Sequence, residues 1–88
     1  MGRYKIIFRK SVAKDLRPIP NSDLRKILAA IDSLSNEPRP SGTEKLSGQN
    51  RYRLRRGNYR ILYEVQDEEP VVVVVKVGHR GDVYRRGH

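Results

Sequence analysis

Hydrophobic and polar positions change period twice along this chain. Residues Tyr4 to Phe8 alternate around Tyr4, Ile6 and Phe8, the period of a strand. Ser11 then offers an N-cap for a short helix carrying Val12, Leu16 and Ile19, closed by Pro18 and Pro20. Asn21 or Ser22 caps a second helix, and Asp23 lies favourably against its dipole. In that helix Leu24, Ile27, Leu28, Ile31 and Leu34 form one stripe at helical spacing, which predicts a core-facing side. Asn36-Glu37-Pro38-Arg39-Pro40 stops it, since proline cannot continue the hydrogen-bond ladder.

Beyond a polar loop over Ser41 to Asn50, broken only by Leu46, the period returns to that of strands: Arg51 to Arg56, Tyr59 to Gln66 and Val71 to Val77. Gly57-Asn58 is a two-residue hairpin signal, because both residue types tolerate positive φ, and Asp67 to Pro70 makes the next turn. The expected architecture is α+β: a strand, two helices, then a three-stranded antiparallel meander with the helices on one face. Residues 1–88 form one domain, without internal repeat or low-complexity tail.

The hairpin turn fixes a register. Arg56 pairs with Tyr59, Arg55 with Arg60, Leu54 with Ile61 and Arg53 with Leu62, and each pair shares a face. Tyr52, Leu54, Tyr59, Ile61, Tyr63 and Val65 then make the core side. Arg51, Arg53, Arg55, Arg60, Leu62 and Glu64 make the other. For the third strand, placing Val71, Val73, Val75 and Val77 inward keeps Lys76 out of the core and near Arg60. Arg55 opposite Arg60 is unfavourable for the fold alone, which makes this face a candidate anion site. Glu64 opposite Arg51 reads as an ordinary ion pair. Tyr52, Tyr59 and Tyr63, like Tyr4, read as packing residues.

Charge sharpens this reading. Nineteen Lys and Arg against ten Asp and Glu give a net charge of +9 and a pI near 10.4. A field of that sign favours polyanions, and Arg51, Arg53, Arg55, Arg56 and Arg60 concentrate it. The absence of cysteine excludes disulfides and thiolate metal sites. The longest apolar run, Val71 to Val75, is far short of a membrane span, and no long apolar leader precedes the first strand, so the expectation is a cytoplasmic protein without membrane association.

Leu46-Ser47-Gly48, Tyr52-Arg53-Leu54-Arg55, Gly57-Asn58-Tyr59-Arg60-Ile61-Leu62-Tyr63, Val77-Gly78-His79-Arg80 and Asp82-Val83-Tyr84 together resemble the RelE/ParE toxin superfamily, in order and over nearly the whole chain. The resemblance implies a toxin of a type II toxin–antitoxin system. Its RelE-like branch is a ribosome-dependent endoribonuclease that cleaves mRNA in the ribosomal A site, with no metal or other cofactor, and so inhibits translation. In that reaction the 2′-hydroxyl attacks the adjacent phosphate. It requires a base for the hydroxyl, cations for the added phosphate charge and an acid for the leaving oxygen.

Carried over by position, Arg53 and Arg55 match the two basic residues of the family's catalytic strand, and Arg60 its phosphate-binding arginine. Arg80 matches an arginine that stabilises charge and assists the leaving group. Tyr84 matches an aromatic that stacks on the mRNA base. Arg51, Arg53, Arg56, Lys76, Arg85 and Arg86 are expected to bind RNA, with Arg55, Arg60, His79, Arg80 and Tyr84 as the catalytic set. The chain departs from the pattern at Arg55, where relatives often carry lysine. Arginine keeps its proton in proteins, so Arg55 is unsuited to the base role and His79 becomes its substitute. Glu44 and Glu64 are weaker candidates, and His88 is assigned no role. The partners implied are a RelB-like antitoxin with an acidic amphipathic segment, mRNA on the ribosome with contacts to 16S rRNA, and operator DNA reached through the antitoxin. Two other readings stand beside this one: a ParE-like, non-enzymatic inhibitor of DNA gyrase, and a non-catalytic RNA-binding module.

Overall fold

The computed structural model describes residues 3–46 and 50–79. Its elements are β1 (Lys5–Phe8), α1 (Lys10–Leu16), α2 (Asn21–Ser33), β2 (Glu44–Lys45), β3 (Arg51–Arg56), β4 (Tyr59–Gln66) and β5 (Val71–His79). The strand, helix pair and meander are the expected α+β order. The strands join into one sheet in the order β1-β5-β4-β3-β2. All neighbours are antiparallel except β1 and β5, which run parallel, so the sheet is mixed. β2 was not expected. Only two polar residues long, it carries no periodic signal, and it exists because Glu44 and Lys45 pair with Arg53 and Tyr52.

The predicted hairpin register is the observed one: Arg56 faces Tyr59, Arg55 faces Arg60, Leu54 faces Ile61, Arg53 faces Leu62 and Arg51 faces Glu64. Of the two turn residues Gly57 takes positive φ, +61°, while Asn58 does not, the sign pattern of a II′ turn.

The register of β5 corrects the sequence reading. Val72 and Val74, not Val73 and Val75, point inward with Val77, and all three are fully buried. Tyr63 pairs with Val74 and Leu62 with Lys76, so Val75 is the extra residue of a β-bulge. The bulge turns the strand over midway. Its first half then presents Val72 and Val74 to the core, while Lys76 is still kept out of it. Strict alternation could satisfy only one of these demands.

Both helix starts also differ from expectation. Arg9 donates its N–H to the Val74 carbonyl as an extension of the strand, so α1 begins directly after it and Ser11 falls inside the helix. Pro20, whose ring fixes φ near −58°, gives its carbonyl to the Leu24 N–H and is the N-cap of α2 in place of Asn21 or Ser22.

The core lies between the helices and one sheet face. Val12, Ile19, Ile27, Ala30, Ile31 and Leu34 pack against Tyr52, Leu54, Ile61, Tyr63, Val65, Val72, Val74 and Val77. Leu28, predicted to join them, is instead 39% exposed and lines a shallow apolar groove with Phe8 and α1. On a 3.6-residue helix it points about 100° away from Ile27, past the margin of the sheet.

Candidate functional site

The face of the sheet away from the helices carries three rows, each running across the strands. Nearest the hairpin turn stand Arg55, Arg60 and Gly78. The middle row is Glu44, Arg53, Leu62 and Lys76, and the third is Arg51, Glu64, Val73 and Ile7. The cluster of arginines read from the sequence is therefore assembled on one surface.

Much of its charge is compensated. Arg51 grips Glu64 through Nε, at 3.2 Å, and through its terminal nitrogen, and Arg9 approaches the same carboxylate at 3.9 Å. Arg53 binds Glu44 in the same way, with Nε at 3.0 Å from Oε1. Lys76 Nζ lies 3.5 Å from Asp15 Oδ1, while Asp15 Oδ2 accepts the Val77 N–H at 3.1 Å. Asp15 thus serves both the cation and the outer edge of β5, beyond the end of β1.

Arg55 differs from these in its pairing, and Arg60 in its burial. Arg55 is exposed and, among the described residues, forms no ion pair. Arg60, expected on an open surface, is only 4% exposed. Two guanidinium groups are thus directly opposed, one of them withdrawn from water. Glu44 feels both: its carboxyl is held below the usual range first by the Arg53 hydrogen bond and charge, then by the charges of Arg55 and Arg60.

His79 and Arg56 lie elsewhere. His79 pairs with Tyr59 in the sheet, and their rings meet edge to face at 5.3 Å. Because Gly78 is the residue facing Arg60, His79 points to the opposite side of the strand, at the end of the sheet. Arg56 shares that side through its pairing with Tyr59. Arg80, Tyr84, Arg85 and Arg86 lie outside the described residues.

The tyrosines read as packing residues are so placed. Tyr52 and Tyr63 stack at 5.8 Å within the core, and burial pushes the Tyr63 hydroxyl pKa up. Sequence reasoning missed the polar network below them. Arg39 donates from Nε to the Tyr52 hydroxyl at 2.9 Å and from its terminal nitrogen to Asp67 at 2.8 Å, and the Tyr4 hydroxyl also donates to Asp67 at 2.8 Å. These residues come from four separate segments, so no local pattern announces them.

Comparison with known proteins decides the family. The model of the ParE toxin of type II toxin–antitoxin system, parDE, matches residues 6–84. The chain belongs to the RelE/ParE toxin family. Toxin RelG of Mycobacterium tuberculosis is 37% identical over 94% of the chain and 98% of its own length. Among solved structures, RelE in the archaeal RelE–RelB complex from Pyrococcus horikoshii superposes with a TM-score of 0.81 at 33% identity, over 90% of this chain and 97% of that one. A chain of the RelBE2 toxin–antitoxin complex of Mycobacterium tuberculosis gives 0.78 at 31%, over 89% and 99%. The protein is a toxin of a toxin–antitoxin system, with the fold of RelE toxins. Among the described residues no helix of this toxin is long and apolar enough to cross a membrane.

Proposed function

We propose that this toxin is a RelE-like endoribonuclease that cuts mRNA in the ribosomal A site, in the cytoplasm and without a metal. The observation that carries the reading is the opposition of Arg55 and Arg60 on the open sheet face, one exposed and one buried. A phosphate that becomes dianionic as the 2′-oxygen attacks is the kind of charge such a pair stabilises. The 2′-oxygen bonds to phosphorus as its proton passes to a base. The bond to the 5′-oxygen then breaks, and that oxygen takes a proton, leaving a 2′,3′-cyclic phosphate and a free 5′-hydroxyl.

Arg55 cannot be the base, because guanidinium holds its proton. His79 takes that role next to Gly78 of the Arg60 row, although its ring lies on the other side of β5, so the RNA must wrap the strand end to reach it. Arg80 assists the leaving oxygen and Tyr84 stacks on a base. Arg51, Arg53, Arg56, Lys76, Arg85 and Arg86 guide the RNA strand and adjacent 16S rRNA. The solved RelE–RelB complexes support a RelB-like antitoxin as the partner; in this reading it silences the toxin and carries it to operator DNA.

Primer extension on a translated mRNA, with and without ribosomes and with chelator present, tests this. New 5′-hydroxyl ends that require ribosomes are expected, together with a large loss of single-turnover cleavage in His79→Ala. The match to a ParE family model favours one other reading, inhibition of DNA gyrase without cleavage. Unbroken mRNA together with blocked supercoiling by gyrase would establish it.

A further inference from the structure

Glu44 stands among the cations that the proposed reaction needs. It enters the sheet on β2, opposite Arg53, and two nitrogens of that guanidinium hold its carboxylate. Arg55 lies two residues along β3 on the same face, and Arg60 lies opposite Arg55. One carboxylate oxygen, Oε1, held by two guanidinium nitrogens fills the place that an anionic phosphate oxygen would take on the same fork. Glu44 remains 60% exposed while the Arg53 side chain is 20% exposed, so the acid is the partner free to swing away.

We propose that Glu44 is a built-in stand-in for an RNA phosphate: it occupies the Arg53 end of the anion site, and RNA must displace it to bind there. The inference rests on the endoribonuclease reading and names a specificity determinant of that same site. It follows that Arg53 contributes less to RNA affinity than an uncompensated arginine would. A surface pair of this kind holds by a factor of roughly one to five, so the displacement is within reach of any phosphate also held by Arg55 and Arg60. Weak or isolated phosphates gain little at this end of the site, whereas a strand presenting phosphates to both rows gains most. A second consequence concerns salt. The displaced Glu44 carboxylate stays charged beside the incoming strand, so this end of the site offers RNA one net positive charge fewer than its arginines alone would.

The test is binding of a 2′-O-methylated single-stranded RNA, which cannot be cleaved, to the full-length toxin and to Glu44→Gln across a salt series. Glutamine keeps the shape and removes the charge. The expected result is an affinity about two- to fivefold higher for Glu44→Gln at low salt. The slope of log affinity against log salt should steepen by up to about 0.7, the effect of one further net positive charge on a single strand. Adding Arg53→Ala to Glu44→Gln should erase both differences. Equal or weaker RNA binding by Glu44→Gln, with wild-type binding intact, overturns the proposal while leaving the endoribonuclease reading untouched. Failure of the wild-type toxin to bind or cleave RNA at all would instead remove the reading on which it rests.

Discussion

The two faces of the sheet are made from alternate residues of the same strands, yet different forces hold them. On the covered face Ile61, Tyr63, Val65, Val72 and Val74 are wholly buried against α1 and α2, and their contribution scales with apolar area removed from water. On the open face Arg51, Arg53 and Lys76 are each held by one carboxylate, and for Arg53 and Lys76 that acid comes from outside the meander: Glu44 on β2, Asp15 on α1. The alternation of a strand decides which residue faces where. Whether a charge on the open face is available to a ligand is decided by residues distant in sequence.

Substitutions separate the two faces by what they disturb. Tyr63→Ala empties a fully buried site and removes the hydroxyl that donates to the Pro38 carbonyl at 2.7 Å. It should lower stability by about 3–5 kcal/mol, read as a fall in the denaturant midpoint. A loss below 1 kcal/mol would mean that the covered face is not the stabilising one. Arg60→Ala is the counterpart on the open face. We expect cleavage to fall by about 10²–10³ with the far-ultraviolet spectrum retained, in single-turnover assays on ribosomes. Near-normal rates would detach the reaction from this face.

Asp15→Ala joins the two faces, since Asp15 serves the Val77 N–H as well as Lys76. A cost of about 1–2 kcal/mol in chemical denaturation is expected, with faster amide exchange at Val77. No change in that exchange would show the edge to be closed by other means.

The smallest effect concerns pH. The carboxyl of Asp67 is held below its ordinary value of 3.8 by its hydrogen bond from Arg39 and next by that from Tyr4. A depressed folded-state value stabilises above the unfolded value and is lost as pH falls through the folded one. Thermal melts from pH 6 down to acid should therefore bring wild type and Asp67→Asn together at the acid end only. A gap between the two proteins that stays constant would refute the linkage.

Much of this was legible in the sequence where short-range rules act. Gly57-Asn58 pinned the hairpin, and with it the opposition of Arg55 and Arg60. The third strand was misread because alternation was continued through it, whereas a bulge at Val75 lets Val74 and Val77 both face inward. The helix starts escaped because the hydrogen bond from Arg9 to Val74, not a capping side chain, decides where α1 begins. In the site, the cationic rows and the Arg51–Glu64 pair were foreseen, but the compensation of Arg53 and Lys76 was not. Glu44 lies on a strand too short to have a period, and Asp15 meets Lys76 across 61 positions of chain.

The acceptor at Asp15 also bears on how this molecule keeps apart from its own kind. β5 begins with five valines, the β-branched, uncharged composition that seeds edge-to-edge stacking between chains. β1 occupies the outer edge of its first four residues, and where β1 ends, Asp15 takes the Val77 N–H while α1 packs alongside. The outer edge of β5 is thus covered by a strand and then by a single carboxylate, which leaves the shorter β1 as the edge of the sheet. The first helix thereby carries the acid that completes the cover of the most apolar strand.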